Sequence, residues 1–230
     1  MYLTETDILY EDNHVIAVKK KTGELVQADK TGILPLAEHC ADYIKHKYNK
    51  PGNAYIGIVH RIDRPVTGVI LFAKSSKGLE RFNLMFKEKT IHKKYWAIVK
   101  ELPPKEQDTL IHYIRRNTKQ NKSYAYDKEV AHSKRAELDY RLIASSDRYY
   151  LLEIVLKTGR HHQIRSQLSK IGCPIKGDKK YGYKKPNKDA SIHLHARSVE
   201  FVHPVKKESV YIECQVPDEN LWKAFEEIVK

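Results

Sequence analysis

Three short segments combine residue types that could do chemistry. The first is His60-Arg61-Ile62-Asp63-Arg64-Pro65-Val66-Thr67-Gly68, a polar stretch between two apolar, strand-like runs, Tyr55 to His60 and Gly68 to Ala73. A loop mounted on strand ends holds a reactive group steady. Asp63 has an arginine on each side in near sequence, and neighbouring cations favour a carboxylate over a carboxylic acid. An ionised carboxylate can act as a nucleophile toward a sugar or base carbon. The ordinary alternative is a surface aspartate in salt bridges with Arg61 and Arg64, and local composition alone favours it. The second segment is Thr158-Gly159-Arg160-His161-His162-Gln163-Ile164-Arg165, which leaves a strand and opens a helix. Exposed amides and basic side chains at a helix start suit phosphate. The ordinary alternative is a solvated, basic helix start, and for Arg160 it is the stronger reading. Arg165 sits beside the Ile164/Leu168/Ile171 face and could reach inward. The third is Lys93-Lys94-Tyr95-Trp96-Ala97-Ile98-Val99, where alternation separates Tyr95, Ala97 and Val99 from Trp96 and Ile98. Tyr95 could stack on a base, although a core aromatic is the commoner role for such a residue.

Other chemistries find little support. His193-x-His195 could put two imidazoles on one strand face, but no carboxylate or cysteine accompanies them at a metal-ligand spacing. Cys40, Cys173 and Cys214 are odd in number and far apart, which argues against a disulfide framework or structural zinc and for buried free thiols. No Gly-rich phosphate loop, Ser-His-Asp order or dinucleotide fingerprint occurs. No apolar run is long enough to span a membrane. The acidic opening MYLTETDILYED lacks the basic start and apolar core of a secretory signal, so a soluble cytoplasmic protein is expected. Lys and Arg number 42 against 29 Asp and Glu, a formal net charge of +13. Such a chain attracts polyanions, though a basic surface for solubility alone gives the same balance.

The elements that must position these groups read as a mixture. ILYEDNHVIAVKK forms two short strands about a turn at Asp12-Asn13. Pro35 to Tyr48 is a helix with Leu36, Cys40 and Tyr43 on one face, and Ser75 or Ser76 caps a second helix carrying Leu79, Phe82 and Phe86. Tyr95 to Val99, Ala136 to Ile143, Tyr149 to Leu156, Val199 to Val202 and Ser209 to Val216 are strands. Arg115 to Lys134 is basic and tyrosine-bearing, a hairpin or excursion. HHQIRSQLSKIG is helical up to Gly172, Lys176 to Asp189 is a loop, and a last helix after Asp218 buries Trp222, Phe225 and Val229. Many strands and few helices in irregular order indicate an α+β fold in one domain over residues 1–230.

Taken together, the segments resemble the RluA-type RNA pseudouridine synthases. HRIDRPVTGVILFAK resembles that family's catalytic motif, KKYWAIV its tyrosine motif and TGRHHQIR its helix motif. ILYEDNHVIAVKKKTG, CPIKGDKKYG and LHARSVEFVHP resemble further family segments, in order from Ile8 to about Pro204. The resemblance implies a mixed, mostly antiparallel sheet with a central RNA-binding cleft flanked by helices. It implies cofactor-free and metal-free isomerisation of uridine in ribosomal or transfer RNA. Residue by residue, Asp63 matches the catalytic aspartate, Tyr95 the tyrosine that packs on the uracil, Arg165 the basic partner of the aspartate, and Arg61 the motif arginine that serves the flipped-out nucleotide. Arg64, Arg160 and His162 are the further RNA-binding candidates.

The chain also departs from the family pattern. Lys21 stands where proline is common, Val66-Thr67 replaces Thr-Ser or Val-Ser, and Gln167 stands where histidine is frequent. The family's separate N-terminal RNA-binding domain has no place before Ile8, so recognition by the catalytic domain alone, as a monomer, is expected. Two other classes compete. A non-catalytic RNA-binding or chaperone protein on this scaffold would be expected to have lost Asp63, Tyr95 or Arg165. A glycoside hydrolase needs a second carboxylate close by. Asp178 is the nearest candidate for it, and reads instead as a brace within its loop.

Overall fold

The computed structural model describes residues 3–230, which divide into two compact units. The first runs to His92 and takes in Ala196–Gln215; the second comprises Lys93–His195 and Val216–Lys230.

In the first unit, β1 (Ile8–Glu11) and β2 (Val15–Lys20) form the expected hairpin, with Asp12 Oδ1 accepting from the His14 and Val15 amides. β2 pairs antiparallel with β4 (Thr67–Ala73), which also receives the two-residue β3 (Gly57–Ile58). β10 (Leu194–Val202) follows β4 in the strand order and pairs antiparallel with β11 (Ser209–Glu213). Every residue of β4 is buried. The reason is cover on both faces. Ile70 and Phe72 join Ile16 and Val18 beneath Leu36, Cys40 and Ile44 of α1 (Leu36–Lys47), while α2 (Ser76–Glu88) contacts β4 and sets Phe82 edge-on to Phe201 at 5.4 Å. Ser75 caps α2 by accepting from the Gly78 amide at 3.1 Å.

The second unit is an antiparallel sheet ordered β5 (His92–Val99), β9 (Tyr150–Leu156), β8 (Lys134–Ser145), β6 (Gln107–Asn117) and β7 (Lys122–Tyr126). Trp96 and Ile98 pack with Leu151, Trp222 and Phe225 under α4 (Asn220–Val229). The α+β, largely antiparallel class read from sequence is the one observed.

Three local readings need correction. Tyr55 to His60 yields only the short β3, with Tyr55 itself exposed. Val229 is not buried: it ends α4 and is 39% exposed. The strand β6 begins at Gln107, well before the basic stretch, and its alternation is masked because His112 points inward while Ile111 is 46% exposed.

Gly68, at the start of β4, has φ +118°, and a Cβ there would lie 2.3 Å from the Ala196 carbonyl oxygen and 2.5 Å from its nitrogen. The obstacle is backbone, so it cannot swing aside. Gly68→Ala is expected to destabilise the protein by on the order of 3–5 kcal/mol, combining φ strain with overpacking, and to lower Tm by roughly 10 °C. A melting temperature within 2 °C of wild type, roughly the shift of a single kcal/mol, would refute that close approach.

Candidate active site

The Asp63 loop is built on a buried lysine. Lys20 ends β2, two and four residues beyond Val18 and Ile16 on the same face, and is 0% exposed. Its ammonium donates to the carbonyls of Lys21 (3.1 Å), Arg64 (3.0 Å) and Val66 (2.7 Å). The turn is closed by the Val66 amide donating to the Asp63 carbonyl at 3.0 Å. Gly23 and Arg64 tie the neighbouring loop on: the Gly23 amide donates to the Arg64 carbonyl, and Arg64 Nε donates to the Gly23 carbonyl. Ile62 packs on the α1 core, and His60 Nε2 accepts from the Leu71 amide at 3.0 Å. The Asp63 side chain is thus half-buried on a loop fixed from below, while Arg61 and Arg64 are exposed on either side. Arg61 donates to Gln27 Oε1 at 3.0 Å.

Burial pushes the Lys20 ammonium from the usual 10.5 down to about 8, against the favourable fields of Glu24 and Asp63, and Arg64 adds to the lowering. Between about 8 and 10.5 the folded state therefore binds fewer protons here than the unfolded chain does, so folding stability gains as pH rises through that window. Lys20→Met should lack this gain. Urea unfolding of both proteins from pH 7 to 10 checks it; parallel stability curves would show that Lys20 titrates normally.

In the second unit Tyr95 is 7% exposed. Lys93 precedes it by two residues on the same strand face, and burial lowers its ammonium to about 8. Gly159 lies close by: a Cβ there would come within 4.0 Å of Lys93 Nζ. The turn that follows is clamped by Gln163, 3% exposed, which accepts at Oε1 from Thr158 Oγ1 (2.8 Å) and from the Arg160 amide (2.9 Å) and donates to the Glu137 carbonyl. Arg160 itself is exposed and donates to the Arg135 carbonyl. His162 starts α3 (Gln163–Lys170) in the left-handed conformation, φ 52°, stacked on His161 at 3.8 Å.

Arg165 does reach inward. It is 5% exposed and forms a two-pronged pair with Asp178, Nε to Oδ2 at 2.7 Å and Nη2 to Oδ1 at 2.9 Å. Its guanidinium lies 4.9 Å from the centre of the Tyr181 ring. The Tyr181 hydroxyl accepts from the Ser123 amide at 2.8 Å and shares a hydrogen bond with His162 Nδ1 at 2.9 Å, its direction set by the imidazole tautomer. Asp178, 1% exposed, braces α3 as well as its own loop. His193 and His195 flank Trp222. Burial lowers His193 to about 4, which leaves it neutral at pH 7, between Asn187 Nδ2 (2.9 Å) and Glu219 Oε2 (3.2 Å). Among the described residues no group of three or more His, Cys, Asp or Glu could hold a metal ion.

Of the sequence candidates, Arg61, Asp63 and Arg64 share one loop of the first unit, and Tyr95, Arg160, His162 and Arg165 belong to the second. Sequence reasoning missed Lys20 and Lys93. Both look like members of solvated lysine runs, and only their strand parity, in step with Val18 and with Tyr95, marks them.

The fold is that of the pseudouridylate synthases. Human RNA pseudouridylate synthase domain containing 4 superposes with TM-score 0.79 at 22% identity, over 97% of this chain and 93% of that one. The sequence supports a closer statement. The family described as RNA pseudouridylate synthase matches residues 14–170. An uncharacterized RNA pseudouridine synthase of Bacillus subtilis, YlyB, is 33% identical over 94% of this chain and 70% of its own length. The ribosomal large subunit pseudouridine synthase D of Zymomonas mobilis is 30% identical over 93% and 70%. The tRNA pseudouridine synthase C of Vibrio parahaemolyticus is 28% identical over 98% of both chains. The chain belongs to the RNA pseudouridylate synthase family, RluA type, and is an isomerase of that class.

Proposed function

We propose that the protein converts specific uridines of ribosomal or transfer RNA to pseudouridine, with Asp63 as the catalytic carboxylate. The observation that carries the reading is the family match together with the mounting of Asp63, half-buried on a turn whose carbonyls are fixed by Lys20. In the reaction the bond from ribose carbon 1 to uracil N1 breaks, the detached uracil turns, its carbon 5 bonds to carbon 1 of the ribose, and the carbon 5 proton leaves for N1. Asp63 serves either by attacking carbon 1 or by taking a proton from carbon 2. Both roles need the ionised carboxylate, and Arg165 supplies the complementary positive charge. The target nucleotide is extruded from its stack at a cost of a few kcal/mol, and stacking of the uracil on Tyr95 offsets a comparable part. Arg61, Arg64, Arg160 and His162 contact the RNA, mainly at phosphates, which position it without reading sequence.

A protein that only binds or remodels RNA on this scaffold is the rival reading. Pseudouridine mapping of total RNA from cells with and without the gene separates the two. Loss of one or a few pseudouridines on deletion supports the enzyme and identifies its substrate. An unchanged map, together with no product from purified protein on ribosomal and transfer RNA, overturns it.

A further inference from the structure

The basic, tyrosine-bearing stretch after Arg115 has no part in the chemistry above, yet its geometry is specific. β6 and β7 form a two-stranded ribbon in which Tyr113 faces Tyr126 and Arg115 faces Tyr124. Because side chains alternate along a strand, one ribbon face carries Tyr113, Arg115, Lys122, Tyr124 and Tyr126 together. Arg115 lies 5.3 Å from the Tyr126 ring centre and donates to its hydroxyl at 2.9 Å, and Lys122 lies 5.3 Å from the Tyr124 ring centre. All three tyrosines are partly exposed. Glu137, in register with Ile111 on the same side, is held by Arg135 at 2.5 Å and so does not oppose an approaching polyanion.

The reverse face is anchored. His112, Ile114 and Ser123 are buried. Gln167 of α3 donates to His112 Nδ1 at 3.0 Å, Ser123 Oγ bonds His161 Nδ1 at 2.8 Å, and the Ser123 amide reaches Tyr181. The ribbon is therefore a rigid platform rather than a loose flap.

Flat aromatic faces interleaved with cations, with the carboxylates on that side, Glu137 and Asp139, already paired to Arg135 and Lys157, fit unpaired nucleotides. Each base has a π-face to stack, and the cations follow the backbone. A duplex, whose bases are already stacked and hidden, would use the cations and ignore the rings. We infer that this ribbon face binds single-stranded nucleotides of the substrate RNA outside the uridine pocket. The inference rests on the RNA-modifying reading for its ligand but is tested without catalysis.

The test measures affinity of purified protein for a ten-nucleotide oligouridylate and for a fully paired RNA hairpin, by fluorescence anisotropy at fixed salt. Tyr124→Leu/Tyr126→Leu should weaken oligouridylate binding about tenfold or more, since each stacked base contributes roughly that factor. Hairpin binding should change less than twofold, and Tyr124→Phe/Tyr126→Phe should retain affinity for both. Equal weakening on both RNAs, no weakening on either, or no wild-type affinity for oligouridylate would each overturn the inference. Melting curves of the leucine variant confirm that the folded protein is being compared. Because pseudouridine formation is scored separately, a wild-type protein without activity would refute the proposed function while leaving this surface to be judged on binding alone.

Discussion

Asp63→Asn is expected to lower pseudouridine formation by at least about a thousandfold while leaving RNA affinity within about twofold. The asparagine keeps the size of the side chain and the turn closed by the Asp63 carbonyl and the Val66 amide, a backbone bond that the substitution does not touch. What it removes is a nucleophile or base, and no neighbouring carboxylate on the loop can take over. There is a secondary effect to control for. The Asp63 field helps keep Lys20 protonated, so the variant weakens the charge that binds the Arg64 and Val66 carbonyls. A melting temperature close to wild type, together with lost product and retained binding, assigns the loss to chemistry. Product formation at more than a tenth of the wild-type rate would remove Asp63 from the catalytic role. Loss of binding along with activity, in a folded protein, would make the loop a docking element instead.

How far the sequence anticipated this site depends on which physical signal each residue leaves. The Asp63 segment was legible because a polar stretch between two apolar runs announces a loop on strand ends, and its order with the tyrosine and helix motifs does the rest. Arg165 was legible as an inward-reaching residue from its place beside Ile164 and Leu168. Its partner was less so: Asp178 lies thirteen residues on, across a loop, and only tertiary structure brings the two oxygens to the guanidinium. Lys20 was illegible for a different reason. In the run Lys19-Lys20-Lys21 the composition says solvent, while strand parity says core, and parity wins because three carbonyls wait beneath. Lys21 shows what the family departure from proline does: its amide donates to Glu24 Oε2 at 2.6 Å, a bond that proline could not make. Gln167 is fully buried and spends its amide on the Leu110 carbonyl and His112, a structural use that sequence did not suggest. β6 escaped notice because burial of a polar His112 and exposure of Ile111 cancel the pattern that alternation normally leaves.

The Arg165–Asp178 pair gives a large expected effect on stability and activity together. Both side chains are almost wholly removed from water, and each satisfies the other with two bonds. Deleting one charge from such a pair leaves its partner uncompensated, at a cost on the order of 3–5 kcal/mol. Asp178→Leu should therefore lower Tm by roughly 10 °C, and it should also reduce activity, since the guanidinium loses the carboxylate that aims it. Activity alone cannot separate positioning from unfolding, so the double variant Arg165→Met/Asp178→Leu decides. With both charges gone and apolar volume in their place, replacement of a buried pair is often neutral or stabilising. On the proposed mechanism, in which Arg165 acts through its charge, the double variant should recover most of the lost melting temperature and yet remain inactive. Recovery of both stability and product formation would show that the pair is purely structural and that the charge partner of Asp63 lies elsewhere. Failure to recover stability would show that the surrounding packing around Tyr181, whose ring lies against the guanidinium, depends on the arginine itself.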